Sequence, residues 1–132
     1  MIKSFNLARR WEQVKDVYLE YMQDIVQRET VNNGYYTGQV EQYLQRISGR
    51  KYALLTNNGS NSLLLTMMAL GIGPGDEVIV TNYSCPASET FVKTVGATPV
   101  YCDVGNTGTM NSLFLNDLYT ERTRAVVATG LY

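Results

Sequence analysis

Residues 56–62 read Thr-Asn-Asn-Gly-Ser-Asn-Ser, a cluster of small hydrogen-bonding side chains between two apolar runs. The run before it, YALLT at 52–56, has strand character; the run after it, LLLTMMAL at 63–70, carries no charge and suits a helix. At the start of a helix the backbone N–H groups lack intrahelical partners and carry partial positive charge, so they bind anions readily. Gly59 permits close approach of a phosphate, and Ser60 and Ser62 add hydroxyl donors. No lysine follows the glycine and no second glycine completes a dinucleotide fingerprint, so neither nucleotide-loop motif is present. Spacing alone leaves two readings open, a capped turn and a phosphate cradle.

Other stretches carry weaker chemistry. NYSCPAS at 82–88 can bring Tyr83, Ser84 and Cys85 to a cleft, or Ser84 or Cys85 can cap a helix begun by Pro86. NNGYYTG at 32–38 has the composition of a ligand loop and equally that of an interhelical turn. In GIGPGDEVIV at 71–80, Gly71 ends a helix and Pro74-Gly75 is a turn pair. Asp76 and Glu77 then read as turn and strand-edge charges rather than a catalytic pair, and Asp103 as a solvated or capping carboxylate. The chain has no histidine, which excludes Ser-His-Asp and Cys-His catalysis and histidine-based zinc sites. Cys85 and Cys102 are the only cysteines. They cannot complete a tetrahedral zinc site, they make no CxxC pair, and both are expected as buried thiols, so no metal site is expected. Chemistry here must draw on a cofactor or on groups outside these residues.

The elements that would position these residues follow from periodicity. The 132 residues are enough for one domain with a core, and the composition, 45% hydrophobic and 17% charged, is that of a globular protein. A formal charge of −1 without long charge runs gives no nucleic-acid footprint and no polybasic membrane patch. No apolar stretch is long enough to span a bilayer and the N-terminus lacks a signal-peptide core, so a cytoplasmic protein is expected. Trp11, Val14, Tyr18, Tyr21, Met22 and Ile25 fall at helical spacing between residues 5 and 29. A second helix is expected from an N-cap at Thr37 to Gly49, with Val40, Tyr43, Leu44 and Ile47 on one face. From residue 51 the runs YALLT (52–56), EVIVT (77–81), TPVYCDV (98–104) and RAVVAT (124–129) alternate with helical patterns. That is the signature of βαβ units and a parallel sheet whose strands are buried on both faces. The expectation is α/β, with a helical arm over 1–50 and an α/β domain over 51–132.

These pieces, in order, resemble the DegT/StrS-type nucleotide-sugar aminotransferases, which are pyridoxal-phosphate (PLP) enzymes of fold type I in the aspartate aminotransferase superfamily. The resemblance rests on GYYTGQVEQYLQRISGRKYALLTNNGS, LGIGPGDEVIVTN, GATPVYCDV and TRAVVATGLY, and covers nearly all of the chain from residue 30. It implies that this is the N-terminal part of a fold type I large domain, mainly parallel sheet with flanking helices. The family's Ser-Gly-Thr phosphate motif falls on Asn58, Gly59 and Ser60, so Gly59, Ser60 and Asn61 would offer donors to the cofactor phosphate. Cys85 takes the place of an aromatic ring that commonly lies against the cofactor ring; sulfur can contact a ring face but cannot stack. Gly130 stands where a histidine is usual.

The resemblance also implies that the Schiff-base lysine and the aspartate paired with the pyridine nitrogen lie downstream of residue 132. Lys3, Lys15, Lys51 and Lys93 match no such motif, so no catalytic residue is assigned and the 132-residue chain is expected to be inactive by itself, with PLP possible only as a non-covalent ligand. The complete enzyme would move an amino group, typically from glutamate, onto a nucleotide-linked keto sugar, as a homodimer or higher oligomer. A PLP-dependent sugar dehydratase and a non-catalytic fragment or binding module are the alternatives. In the implied strand order, 3-2-4-5-6-7-1, the run 52–56 is separated from the other three by absent strands, so its edges would lack partners.

Overall fold

A computed structural model of the chain describes residues 6–28 and 34–130. The expected turn over 30–33, Lys3 and the last two residues of the GLY segment lie outside the described residues. The chain divides into two compact units, 1–55 and 56–132.

The first unit is helical. Helix α1 (Leu7–Gln27) opens on Asn6, whose side chain accepts the Arg9 N–H at 3.0 Å. Helix α2 (Tyr35–Ser48) ends at Gly49, whose φ of 67° is the left-handed conformation that closes many helices. It starts two residues before the expected cap at Thr37, and its N-cap, Gly34, has no side-chain oxygen to offer. Contacts to α1 extend it. The Tyr36 hydroxyl donates to Asp24 at 2.7 Å, and the Arg28 guanidinium lies 4.3 Å from the centre of the Tyr35 ring. No residue of either helix is buried within the described chain. No helix among the described residues is long and apolar enough to cross a membrane.

The expected strand at 52–56 does not form: no regular structure spans it, and Tyr52 and Leu54 are 76% and 77% exposed. A strand exists through its ladder, and the described residues offer this run no partner strand. The apolar pattern alone does not make 52–56 a strand, because no strand among the described residues pairs with it.

The second unit is α/β. Its order is helix α3 (Gly59–Ala69), strand β1 (Glu77–Thr81), helix α4 (Ala87–Thr94), strand β2 (Thr98–Cys102), a 3₁₀ turn (Ser112–Phe114) running into helix α5 (Leu115–Leu118), and strand β3 (Thr123–Val127). The three strands are parallel in the order β2-β1-β3, so the second through fourth expected strands pair as the resemblance implies. Only the central β1 is buried along its whole length; β2 and β3 are sheet edges, and the expected two-faced burial fails there. Pro99 sits on the edge strand β2, opposite Val78, where a missing N–H is tolerated.

The core lies on one face of β1. Val78 and Val80 pack with Met67 of α3, Phe91 and Val92 of α4, and Ile72 and Ala97 from the loops. Full burial of side chains this size stabilises by about 1.5–3 kcal/mol each. The turn ahead of β1 is the one read from Pro74-Gly75. Gly75 takes φ 94°, and the Asp76 N–H reaches the Gly73 carbonyl at 3.1 Å. Asp76 and Glu77 serve structure: the Asp76 carboxylate accepts the Gly73 N–H at 3.0 Å, and buried Glu77 pairs with Arg122 and accepts from Thr120 at 2.6 Å.

Candidate functional site

The polar loop 56–62 is built as a hydrogen-bonded cap on α3. Asn58 is the N-cap, with extended backbone, and its side chain accepts the Asn61 N–H at 2.8 Å. The Asn61 amide group donates to Asn57 Oδ1 at 2.7 Å. Thr56 Oγ1 donates to the Asn58 carbonyl at 2.7 Å and sits 2.5 Å from Ser62 Oγ. These bonds engage polar atoms of Asn57, Asn58, Asn61 and Ser62 within the loop. The N–H groups of Gly59 and Ser60, and the Ser60 hydroxyl, make no hydrogen bond among the described residues.

That pattern sorts the expected donors. Gly59 and Ser60 present free N–H groups at a helix start, where the helix dipole favours an anion. The Asn61 N–H is held by the cap, which leaves Asn61 to shape the loop. Gly59 is helical, and a Cβ there would meet no atom within 4 Å. The fold therefore does not itself demand glycine, and the space beside the amide stays open to a ligand. The donors present suit a phosphate.

Ser60 and Asn61 also line a cavity of about 450 Å³ between α3 and α4, with Leu64, Phe91 and Thr94 on its walls. Cys85 lies elsewhere, in a cavity of about 250 Å³ at the carboxyl ends of β1 and β2 with Thr81, Ser84, Glu89 and Tyr101. The structure thus groups Gly59, Ser60 and Asn61 and sets Cys85 in a neighbouring cavity. Cys85 is exposed, against the expectation of a buried thiol, because it falls in the loop after β1. Cys102 is buried as expected, and burial pushes its thiol pKa up. Neither Ser84 nor Cys85 caps α4 through its side chain. The N-cap is Pro86, and the Ser88 N–H bonds the Cys85 carbonyl at 2.8 Å.

Two groupings escaped sequence reading. Ser84 Oγ donates to Thr129 Oγ1 at 3.1 Å and lies 2.6 Å from Ser88 Oγ, while the Thr129 N–H donates to Thr81 Oγ1 at 3.1 Å. This chain of hydroxyls ties the loop after β1 to the end of β3, at the switch point where β2 and β3 lie on opposite sides of β1 and ligands of open α/β sheets collect. The Tyr101 hydroxyl bonds Glu89, which also takes Lys93 at 3.1 Å; the tyrosine bond first, then the lysine, hold the Glu89 carboxyl below its ordinary pKa. Threonines at two strand ends were visible in sequence, but their pairing follows only from strand order.

Lys15 pairs with Glu12 and Lys51 stands over the Tyr52 ring, so the described lysines all have structural partners.

Comparison with known proteins bears on these placements. The family model described as DegT/DnrJ/EryC1/StrS aminotransferase family matches residues 12–132. The chain is similar to UDP-2-acetamido-2-deoxy-3-oxo-D-glucuronate aminotransferase of Pseudomonas aeruginosa, 32% identical over 133 residues, covering 100% of this chain and 37% of the relative. Among solved structures it resembles S. venezuelae DesV in complex with a ketimine intermediate, with TM-score 0.86, 28% identity, and 96% of this chain against 34% of that one. It also resembles the PLP-form of the putative sugar aminotransferase Spr1654 of Streptococcus pneumoniae, with TM-score 0.77, 29% identity, and 82% against 28% coverage. The chain spans 37% or less of each of these relatives.

Proposed function

Since the chain belongs to the DegT/DnrJ/EryC1/StrS aminotransferase family, we propose that it supplies the phosphate-holding part of the cofactor site in a PLP-dependent aminotransferase acting on a nucleotide-linked keto sugar. The carrying observation is the pair of free N–H groups on Gly59 and Ser60, joined by the free Ser60 hydroxyl, at the start of α3. Bound PLP supplies an electron sink for moving an amino group.

The residues of this chain bind and orient. The Gly59 and Ser60 amides and Ser60 Oγ hold phosphate oxygens, and the Asn58–Asn61 cap fixes those amides in place before the ligand arrives. Thr56 and Ser62 brace the same loop from behind. Cys85, exposed at the carboxyl end of the sheet, offers sulfur to the cofactor ring. Thr81, Ser84 and Thr129 hold its loop against β3. No residue of this chain is assigned to proton transfer in this reading, which leaves lysine chemistry to residues outside it. Glutamate as amino donor, a homodimer or higher oligomer, and a cytoplasmic setting belong to the same reading.

The test compares PLP with pyridoxal, which lacks the phosphate, by absorbance titration of the purified chain. PLP should bind more tightly, and Ser60→Ala should weaken PLP by about tenfold, the equivalent of about 1.4 kcal/mol for one lost charge-assisted bond. Equal affinity for PLP and pyridoxal would overturn the reading.

A further inference from the structure

The loop that holds the free amides also contains the dipeptide Asn58-Gly59, and the same features that open it to a ligand open it to a reaction with itself. We propose that Asn58 is a site of spontaneous deamidation, and that the reaction runs through the free Gly59 amide. Asn-Gly is the dipeptide in which this reaction meets least steric resistance, because glycine puts no side chain beside the attacking nitrogen. Asn58 and Asn33 are the only asparagines followed by glycine. Asn33 lies outside the described residues, and three observations support Asn58. The residue and its neighbour Gly59 are exposed. The Gly59 N–H is the first of α3 and makes no hydrogen bond among the described residues, so the nitrogen need leave no partner to react. Beyond its chain neighbours and the adjacent helix backbone, nothing lies within 4 Å of where a Gly59 Cβ would stand, so the space beside the residue is open.

The Gly59 nitrogen attacks Asn58 Cγ and forms the N–Cγ bond. The Cγ–Nδ2 bond breaks, and the amide proton leaves with it as ammonia. Water then opens the resulting imide at either carbonyl and gives aspartate or isoaspartate at position 58. The bond from the Asn61 N–H to Asn58 Oδ1 acts as a brake, since the side chain must turn off it to present Cγ. The product adds one negative charge to a chain of formal charge −1. Its consequence for binding rests on the phosphate reading above. A carboxylate beside the Gly59 and Ser60 amides repels a phosphate there, and isoaspartate lengthens the backbone by one carbon and displaces both N–H groups. At contact distance the added charge alone should weaken PLP about fivefold or more.

The experiment ages the purified chain at mildly alkaline pH and follows residue 58 by peptide mass spectrometry with fragmentation, and isoaspartate by enzymatic methyl labelling. Conversion at residue 58 is expected, slowed at least about tenfold in Gly59→Ala. That variant fits the helical backbone and the open space, and circular dichroism confirms that it folds. An unchanged amide at Asn58 after prolonged ageing, or equal conversion in Gly59→Ala, overturns the proposal. Added PLP should slow conversion by occupying the Gly59 amide. Conversion that proceeds at the same rate with PLP present leaves the modification standing and overturns the phosphate placement instead.

Discussion

Residues 52–56 and 77–81 are five-residue apolar runs, each ending in a threonine that leads into a polar loop. By composition they are equivalent strands. In the fold, 77–81 is the fully buried centre of the sheet, while 52–56 is irregular and its Tyr52 and Leu54 are more than three-quarters exposed. The difference lies in hydrogen-bond partners. β1 has a parallel neighbour on each side, and 52–56 has none among the described residues. Hydrophobic character says what a segment would bury, but backbone N–H and C=O groups decide whether it becomes a strand. The threonines follow suit. Thr81 links two strands through Val127 and Thr129, whereas Thr56 makes bonds only within its own loop, to Asn58 and Ser62.

The largest contrast is expected in side-chain truncation. Ile79→Ala should cost about 2–5 kcal/mol in urea unfolding followed by circular dichroism, as a large-to-small change at a site 1% exposed. Leu54→Ala should change stability by no more than about 0.5 kcal/mol. Equal losses would break the comparison by showing that 52–56 is buried too. Thr81→Val should come next, losing about 1–3 kcal/mol because the Thr129 N–H is left without its acceptor. Asn58→Ala removes the α3 cap from the exposed loop and should cost about 1 kcal/mol. A larger loss than Thr81→Val would reverse the ranking of the two loops.

The smallest effect concerns the helical unit, where a surface cluster stands in for a core. The bond to Asp24 raises the Tyr36 hydroxyl from the ordinary 10.0 to about 12. A group raised in the folded state stabilises fully below its unfolded pKa, and that contribution fades as pH climbs from 10.0 through about 12. Phenolate absorbance should therefore show a late-titrating tyrosine that disappears in Tyr36→Phe. A titration unchanged by that substitution would contradict the bond.

Much of this was legible in sequence, for identifiable reasons. EVIVT is legible residue for residue because a central strand shows its burial directly in composition. The Pro74-Gly75 turn and the Gly49 helix end follow from backbone conformations that few other residues adopt. The start of α2 differs from the expected Thr37 cap because Tyr35 and Tyr36 are drawn into the helix by Asp24 and Arg28, contacts made across the chain. Cys85 departs from the expected burial for a similar reason, since its type suggests burial and its place in a loop decides otherwise. The donors at Gly59 and Ser60 were named from the motif, but only the cap geometry separates them from Asn61, whose amide is already bonded.

The most direct test of the phosphate cradle is a two-dimensional amide NMR titration of the isotope-labelled chain with PLP, repeated with pyridoxal. The cradle predicts downfield shifts of the Gly59 and Ser60 amide protons, the first two of α3, with the Asn61 amide held by its cap and smaller shifts elsewhere. Pyridoxal should leave both unmoved. Shifts centred away from residues 59 and 60, or the same shifts with pyridoxal, would contradict it.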